Sequence, residues 1–341
     1  MADGAPRRAS DEEDLGILAT VGHTPLVRLN RILSGFDLGV YAKLEGFNPG
    51  GSAKDRPATA ILKHCLATGK IDRRTVIIES SSGNMGIGLA QACRYFGLRF
   101  ICVVDPKTAP QNLKMLEVYG AEINHVLEPD PASGEFLQAR LARVQELLGT
   151  IPGSFWPNQY QTALNPQSHY QTTMHEIVTE LGSLDYLFVA TSTCGTITGC
   201  SSYLRDHGIP AKVVAVDARG SLIFSDKKEK RSVPGIGAGI RPPLCNLDLI
   251  DRIEWVDDAD CVAGCRRLVR WESVLAGGSS GGVITAVERL APEIPAGSTV
   301  VAILADRGER YLETIYSNTW VREHVGDIAD RWEGAGVSPW R

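Results

Sequence analysis

The strongest constraint on this chain is an alternation. Short apolar runs of strand length are followed by segments of helical period, joined by loops rich in glycine, serine and threonine. Val76–Glu79, Phe100–Val104 and Ile123–Leu127 read as strands, and helices are expected from the Ser80–Gly86 loop to Tyr95, over Gln111–Tyr119 and over Glu135–Leu148. After an irregular stretch from Pro152 to His169 the pattern resumes. A helix is expected over Thr172–Leu181, strands over Tyr186–Ala190 and Lys212–Val216, and a helix between them ending near Asp206. Asp258–Val274 reads as one helix, Ala276–Gly282 as a loop into another, and Thr299–Leu304 as a strand. Strands this short and apolar are covered on both faces, and an intervening helix lets successive strands run parallel. The fold class is therefore α/β, in two alternating blocks. A length of 341 residues suits about two domains at roughly 150 residues each.

The remaining composition excludes several classes. Net charge is −5 with no basic block, which argues against nucleic acid and anionic membrane as partners. No run reaches the ~18 apolar residues of a bilayer span. Residues 1–14 are polar, lack an apolar core segment, and read as a disordered tail, not a signal peptide. The eight cysteines form no CxxC pair and no zinc-type spacing with histidine, so no metal site is expected. Reduced thiols in a cytoplasmic protein follow, with Cys261 and Cys265 as small buried thiols on one helix face.

Chemistry concentrates in the loops. His23–Leu29 is a turn into an extended segment, and Val40–Glu45 a strand. The strand leads to Phe47-Asn48-Pro49-Gly50-Gly51-Ser52-Ala53-Lys54-Asp55-Arg56, a tight turn breaking into a helix over Pro57–Gly69. Ser52 with Asp55 is spaced as a capping box. Lys54 falls in the first turn, where the helix dipole disfavours a cation. It is either a solvated surface lysine or a cleft lysine whose neutral amine can form a Schiff base. Ser80-Ser81-Ser82-Gly83-Asn84-Met85-Gly86 follows a strand and opens a helix, which makes it an anion cradle or an ordinary serine-capped loop. Thr191-Ser192-Thr193-Cys194-Gly195-Thr196 has the same setting, and phosphate is the usual guest there. Gly277–Gly281 spells G-x-S-x-G, but a helix precedes it and only His324 follows, which argues against a hydrolase. A lysine with two anion cradles suggests a cofactor bearing both an aldehyde and a phosphate.

The set FNPGGSAKDR, ESSSGNMGIGLA, STCGTITG and GGSSGG, with HTPLVRL early and NQY…HYQTT in mid-chain, resembles the fold-type II pyridoxal-phosphate enzymes of the cysteine synthase and cystathionine β-synthase family. The resemblance runs from about Gly22 to Gly308. It implies the tryptophan synthase β-like fold, with a larger cofactor-binding lobe from 15–46 and 156–341, a smaller mobile substrate lobe from 47–155, and a homodimer. It also implies pyridoxal 5'-phosphate joined to Lys54, with Asn84 on the ring hydroxyl, Ser192, Thr193, Cys194, Gly195 and Thr196 around the phosphate, and Ser279 facing the pyridine nitrogen. Ser81, Ser82, Gly83 and Met85 would meet the amino-acid substrate. A serine, unlike an aspartate, does not keep the pyridine nitrogen protonated, which suits β-elimination and replacement.

Departures from the sulfhydrylase pattern narrow this reading. Met85 stands where those enzymes usually carry threonine, and Ser192–Thr196 replaces a glycine-rich loop. With Tyr160, these features are most similar to the N-(2-amino-2-carboxyethyl)-L-glutamate synthase subgroup, which joins O-phospho-L-serine to L-glutamate in making 2,3-diaminopropionate for siderophores and peptide antibiotics. Arg241, after the glycine run, is the candidate for a substrate carboxylate, with the leaving phosphate or plain solvent as its other possible partners. Cysteine synthase, serine/threonine ammonia-lyase and a non-catalytic binding protein are the rival expectations.

Overall fold

The computed structural model describes residues 16–332, so the expected tail at 1–14 lies outside the described residues. Ten strands form two sheets. The larger has the order β1 (Leu26–Arg28), β2 (Gly39–Leu44), β10 (Thr299–Leu304), β7 (Tyr186–Ala190), β8 (Lys212–Ala218) and β9 (Arg252–Val256). All its pairings are parallel except β1 against β2, where Val27 lies opposite Ala42. The smaller sheet, β5 (Glu122–His125), β4 (Arg99–Val104), β3 (Val76–Ser80) and β6 (Ser154–Phe155), is wholly parallel.

The helices are α1 (Asp55–Ala67), α2 (Asn84–Phe96), α3 (Pro110–Val118), α4 (Phe136–Thr150), α5 (Leu164–Ser168), α6 (His175–Leu181), α7 (Gly195–Asp206), α8 (Asp258–Arg267), α9 (Gly278–Leu290), α10 (Asn318–His324) and α11 (Ala329–Trp332). Central strands are buried, β3 along its whole length and β7 at its three middle residues, because helices cover them. Two apolar cores cover the faces of the larger sheet, one around Phe188, Val262 and Val283 and one around Ile197, Val213 and Val301. The smaller sheet packs α1 and α2 on one face and α4 on the other.

Four differences from the sequence reading have local causes. β9 was not foreseen, because Arg252 and Glu254 alternate with Ile253 and Trp255 on an edge strand. The expected helix over 172–181 starts earlier, at Leu164, through a π-turn (His169–Met174) that shifts the helical period. Likewise the single helix expected over 258–274 is α8 followed by a π-turn at Leu268–Glu272. Finally, no capping box forms at Ser52. α1 begins at Asp55, Ser52 Oγ accepts from the Lys54 amide at 3.2 Å, and Asp55 Oδ2 reaches back to the Gly50 amide at 2.5 Å.

Beneath the start of α1 lies a buried ion cluster. Arg56 donates through Nε to Glu45 at 2.7 Å and through Nη1 to Glu176 at 2.6 Å, and Lys43 Nζ meets Glu176 at 2.7 Å. Lys43 also donates to the Thr24 carbonyl, and Thr24 Oγ1 to Glu45, so the segment leading into β1 is tied to β2, α1 and α6 at one point. Burial pushes the Glu176 pKa up, but hydrogen bonds and charge from Arg56 and Lys43 outweigh it and hold the group at about 2.

The folded value lies below the ordinary 4.5, so this stabilisation is complete above about pH 4.5 and is lost as pH falls toward 2. Arg56→Met leaves buried carboxylates facing one another and should cost about 3–5 kcal/mol in urea unfolding at neutral pH. The deficit relative to the unsubstituted protein should narrow toward about pH 3 as Glu176 is protonated. A deficit that does not change with pH would place the cost in packing alone.

Candidate active site

The turn before α1 is knitted to the end of β10. Ala53 donates to the Ala305 carbonyl at 2.8 Å, Arg307 donates its amide to the Gly51 carbonyl at 3.2 Å, and Ser52 pairs with Asp306 as an antiparallel bridge. Gly51 has φ +88°, which an L side chain adopts only under strain, and a Cβ on Gly50 would meet the Asp55 carboxylate at 2.6 Å. The double glycine is thus required by the turn that presents Lys54.

Lys54 opens into a cleft shared with Ala190, Ser192, Thr193, Cys194, Gly195 and Thr196, and with Gly235. The side chain keeps some contact with solvent, yet the protein packed around its amine pushes the pKa below the ordinary 10.5, against the charges of Asp306 and Glu45. The amine has no hydrogen-bond partner among the described residues. Of the two sequence readings, the cleft lysine is the one the fold produces.

Thr193, Cys194 and Thr196 surround the N-terminus of α7, where unpaired amides and the helix dipole favour an anion. Gly195 lies flat on Asn165, since a Cβ there would stand 2.1 Å from Asn165 Oδ1. Asn165 Nδ2 holds the Gln159 carbonyl at 2.8 Å, while its Oδ1 is buried without a partner. Thr196 Oγ1 lies 3.2 Å from His169 Nε2, and Thr173 Oγ1 lies 2.9 Å from the same ring's Nδ1. Burial, with the positive charges of Lys54 and Arg56, holds His169 well below its ordinary 6.5, so it backs the loop as a neutral ring. Sequence reasoning missed His169. The π-turn that aims it is its signal, but that turn reads as ordinary helix. Ser279 is buried in the first turn of α9, and a Cβ on Gly235 would lie 3.8 Å from its Oγ, so the Gly235 strap connects Ser279 with the lysine cleft.

Residues 17–306 match the family of the pyridoxal-phosphate dependent enzymes. This chain is a pyridoxal-phosphate dependent enzyme. An O-acetylserine dependent cystathionine β-synthase from Helicobacter pylori is 32% identical with a TM-score of 0.81, over 88% of this chain and 98% of that one. A hydrogen sulfide-producing enzyme from Fusobacterium nucleatum is 31% identical (TM-score 0.82; 87% and 99% covered). An O-ureido-L-serine synthase is 29% identical (TM-score 0.82; 94% and 98% covered). The two-sheet architecture is the tryptophan synthase β-like fold, and pyridoxal phosphate is the cofactor of this enzyme family. The residues fit that group: a desolvated amine and a helix N-terminus ringed by hydroxyls line one cleft, and buried Ser279 lies next to Gly235 of the same cleft.

Other expected site residues are placed less simply in the enzyme. Asn84 donates through Nδ2 to Asp306 at 2.7 Å and accepts at Oδ1 from Arg310, which also bonds the Gly50 carbonyl. Tyr311 donates to the same Asp306 oxygen at 2.5 Å, and burial pushes the Asp306 pKa up. Asn84 therefore belongs to a buried Asp306–Arg310–Tyr311 network that sequence reasoning missed. Ser81 Oγ accepts from the Gly86 amide at 2.9 Å and the Gly83 amide at 3.3 Å, the work of a loop cap. The Ser82 carbonyl is held by Asn112. Met85 is buried in the small-sheet core, not in the cleft, because the face of α2 it occupies packs on α1. Arg241 is exposed and donates Nε to the Ile223 carbonyl at 2.7 Å, outside the lysine cleft.

Tyr160 sits between the two loops. Its neighbour Gln159 bonds the Ser80 carbonyl and Glu79, while Asn165 ties it to Thr193. Burial raises the phenol pKa, the charges of Arg140 and Arg231 lower it, and that of Glu79 raises it. Arg140 comes from α4 and was not foreseen, its position being one arginine among several in a helix. Its Nε forms an ion pair with Asp105 at 3.2 Å without hydrogen-bond geometry, so Nε and Nη1 are buried without a hydrogen-bond acceptor.

Lys54→Ala should abolish turnover and leave the protein without a covalent cofactor link. Borohydride reduction followed by peptide mapping should find the pyridoxyl label on Lys54 in the unsubstituted enzyme and on no lysine of the variant. A label on another lysine would remove the assignment.

Proposed function

We propose that this enzyme carries out β-replacement on O-phospho-L-serine with L-glutamate as the incoming amine, releasing phosphate and forming N-(2-amino-2-carboxyethyl)-L-glutamate. The observation that carries the reading is Arg140, whose buried Nε and Nη1 make no hydrogen bond although Asp105 pairs with it by charge, and whose charge, with that of Arg231, acts on Tyr160. Buried donors without acceptors are costly, and a multiply charged substrate satisfies them. Sulfide would leave them unpaired.

Pyridoxal phosphate, when bound, supplies an electron sink for a carbanion at the substrate Cα. The chain supplies the rest. Lys54 would hold the cofactor and move the proton at the substrate Cα, a role its lowered pKa favours by raising the share of neutral amine. Ser192, Thr193, Cys194, Gly195 and Thr196 hold the cofactor phosphate, and Ser279 meets the pyridine nitrogen with a neutral hydroxyl. Asn84 orients the ring while Asp306 and Arg310 fix its amide. Ser81, Ser82 and Gly83 shape the carboxylate cradle. Arg140, Arg231 and Tyr160 receive the charged groups of donor and acceptor, and residues 47–155 act as the mobile substrate lobe.

A second reading, sulfide addition to O-acetylserine or phosphoserine, draws support from the likeness to an O-acetylserine dependent enzyme and a hydrogen sulfide-producing one. Mass analysis of products from phosphoserine offered with glutamate or with sulfide decides between the two. Arg140→Gln should lower kcat/KM for phosphoserine about ten- to hundredfold, the loss of one charge-assisted contact. Turnover of O-acetylserine should change little. An equal loss with both donors would make Arg140 a structural residue, and cysteine as the sole product would overturn the glutamate assignment.

A further inference from the structure

Two thiols meet at the edge of the cofactor loop. Cys194 precedes α7 with φ +64°, a left-handed conformation that suits glycine far better than a side chain. It lines the Lys54 cleft and is buried. Cys245 lies on the loop after Arg241, which folds over the first turn of α7, because Thr198 Oγ1 donates to the Leu244 carbonyl at 2.8 Å. The two side chains belong to one apolar cluster, and each shifts the other's pKa. All eight cysteines are free thiols, and Cys245 alone among them is only half-buried, so an oxidant reaches it first.

The chemistry of the pair is asymmetric. Cys194 lowers the Cys245 pKa, burial opposes this, and the Arg241 charge assists. Cys245, with burial, raises Cys194, while Asp217 acts on both thiols and Lys54 on Cys194. Half-buried Cys245 is the thiolate partner and buried Cys194 the resolving thiol.

We propose that Cys194 and Cys245 form a reversible disulfide in response to peroxide, and that this bond weakens pyridoxal phosphate binding by displacing Cys194 within the phosphate loop. The inference rests on reading residues 192–196 as that loop. In the first step the Cys245 thiolate attacks hydrogen peroxide and takes one oxygen. With one proton this gives the sulfenic acid and water. In the second, the Cys194 sulfur attacks the Cys245 sulfur, the S–S bond forms, and the hydroxyl leaves as water with the Cys194 proton. The two thiols supply both electrons that reduce the peroxide. An S–S bond of about 2.05 Å is much shorter than any contact between unbonded thiols, so bond formation draws Cys194 toward the 241–245 loop. Reduction by a dithiol restores the open pair.

The holoenzyme treated with hydrogen peroxide, alkylated and digested should yield one peptide pair joined through Cys194 and Cys245. The absorbance of bound cofactor should fall, with affinity for added pyridoxal phosphate weaker by at least about tenfold, as expected for one lost phosphate contact. Dithiothreitol should reverse both changes. Cys245→Ser should keep its cofactor through the same treatment, and Cys245→Ala serves if the serine variant folds poorly. These readouts need no substrate, so they are independent of the glutamate assignment. Absence of the linked peptide, unchanged cofactor affinity once it has formed, or equal cofactor loss in the Cys245 variants would overturn the proposal.

Discussion

The pairing of the Gly50–Ala53 turn with the end of β10 is the constraint on which the site depends. Two backbone hydrogen bonds, Ala53 to Ala305 and Arg307 to Gly51, fasten the first turn of α1 to the larger sheet. Arg310 adds a side-chain bond to the Gly50 carbonyl and takes hold of Asn84 at the head of α2. Lys54, the serine loop and the α9 N-terminus thereby share one frame. Backbone groups that would otherwise be buried and unpaired are satisfied in forming it, so the site geometry and the stability of the fold have the same source.

Electrostatics divides neighbouring cations by role. Arg56, two residues after Lys54, is paired on two edges with Glu45 and Glu176 and is locked as a charge. Lys54 is desolvated without a hydrogen-bonded carboxylate, so its amine pKa falls. His169 is surrounded by burial and positive charge and stays neutral behind Thr196. The same low-dielectric interior thus yields a structural cation, a reactive amine and a neutral hydrogen-bonding ring, according only to which partners stand within reach.

The contrast extends to the two loops. In the Ser80–Gly86 loop, the Ser81 hydroxyl is consumed in holding the turn. In the Thr191–Thr196 loop, Thr193 and Thr196 are steadied by Asn165 and His169 from the segment that crosses between the sheets. That crossing segment also carries Tyr160, with Glu79 pinning Trp156 and Gln159 to the end of β3.

The sequence alone determined the α/β alternation, the parallel strands and the loops, because buried strand runs and glycine-punctuated turns are local patterns that report their own conformation. It also singled out Lys54, Ser279 and the Ser192–Thr196 loop, since those residues lie in contiguous motifs. The serine-loop motif was legible in the same way, but its members were assigned uses that depend on direction. Met85 faces the core because of the turn of α2, and Asn84 is engaged by Asp306 and Arg310 from more than two hundred residues away. Arg140, His169 and the Cys194–Cys245 contact were invisible for the same reason. An arginine in an amphipathic helix, a histidine in a π-turn and a cysteine in a loop have no local mark, and only tertiary packing decides which polar atoms are buried, which stay unpaired and which thiols meet.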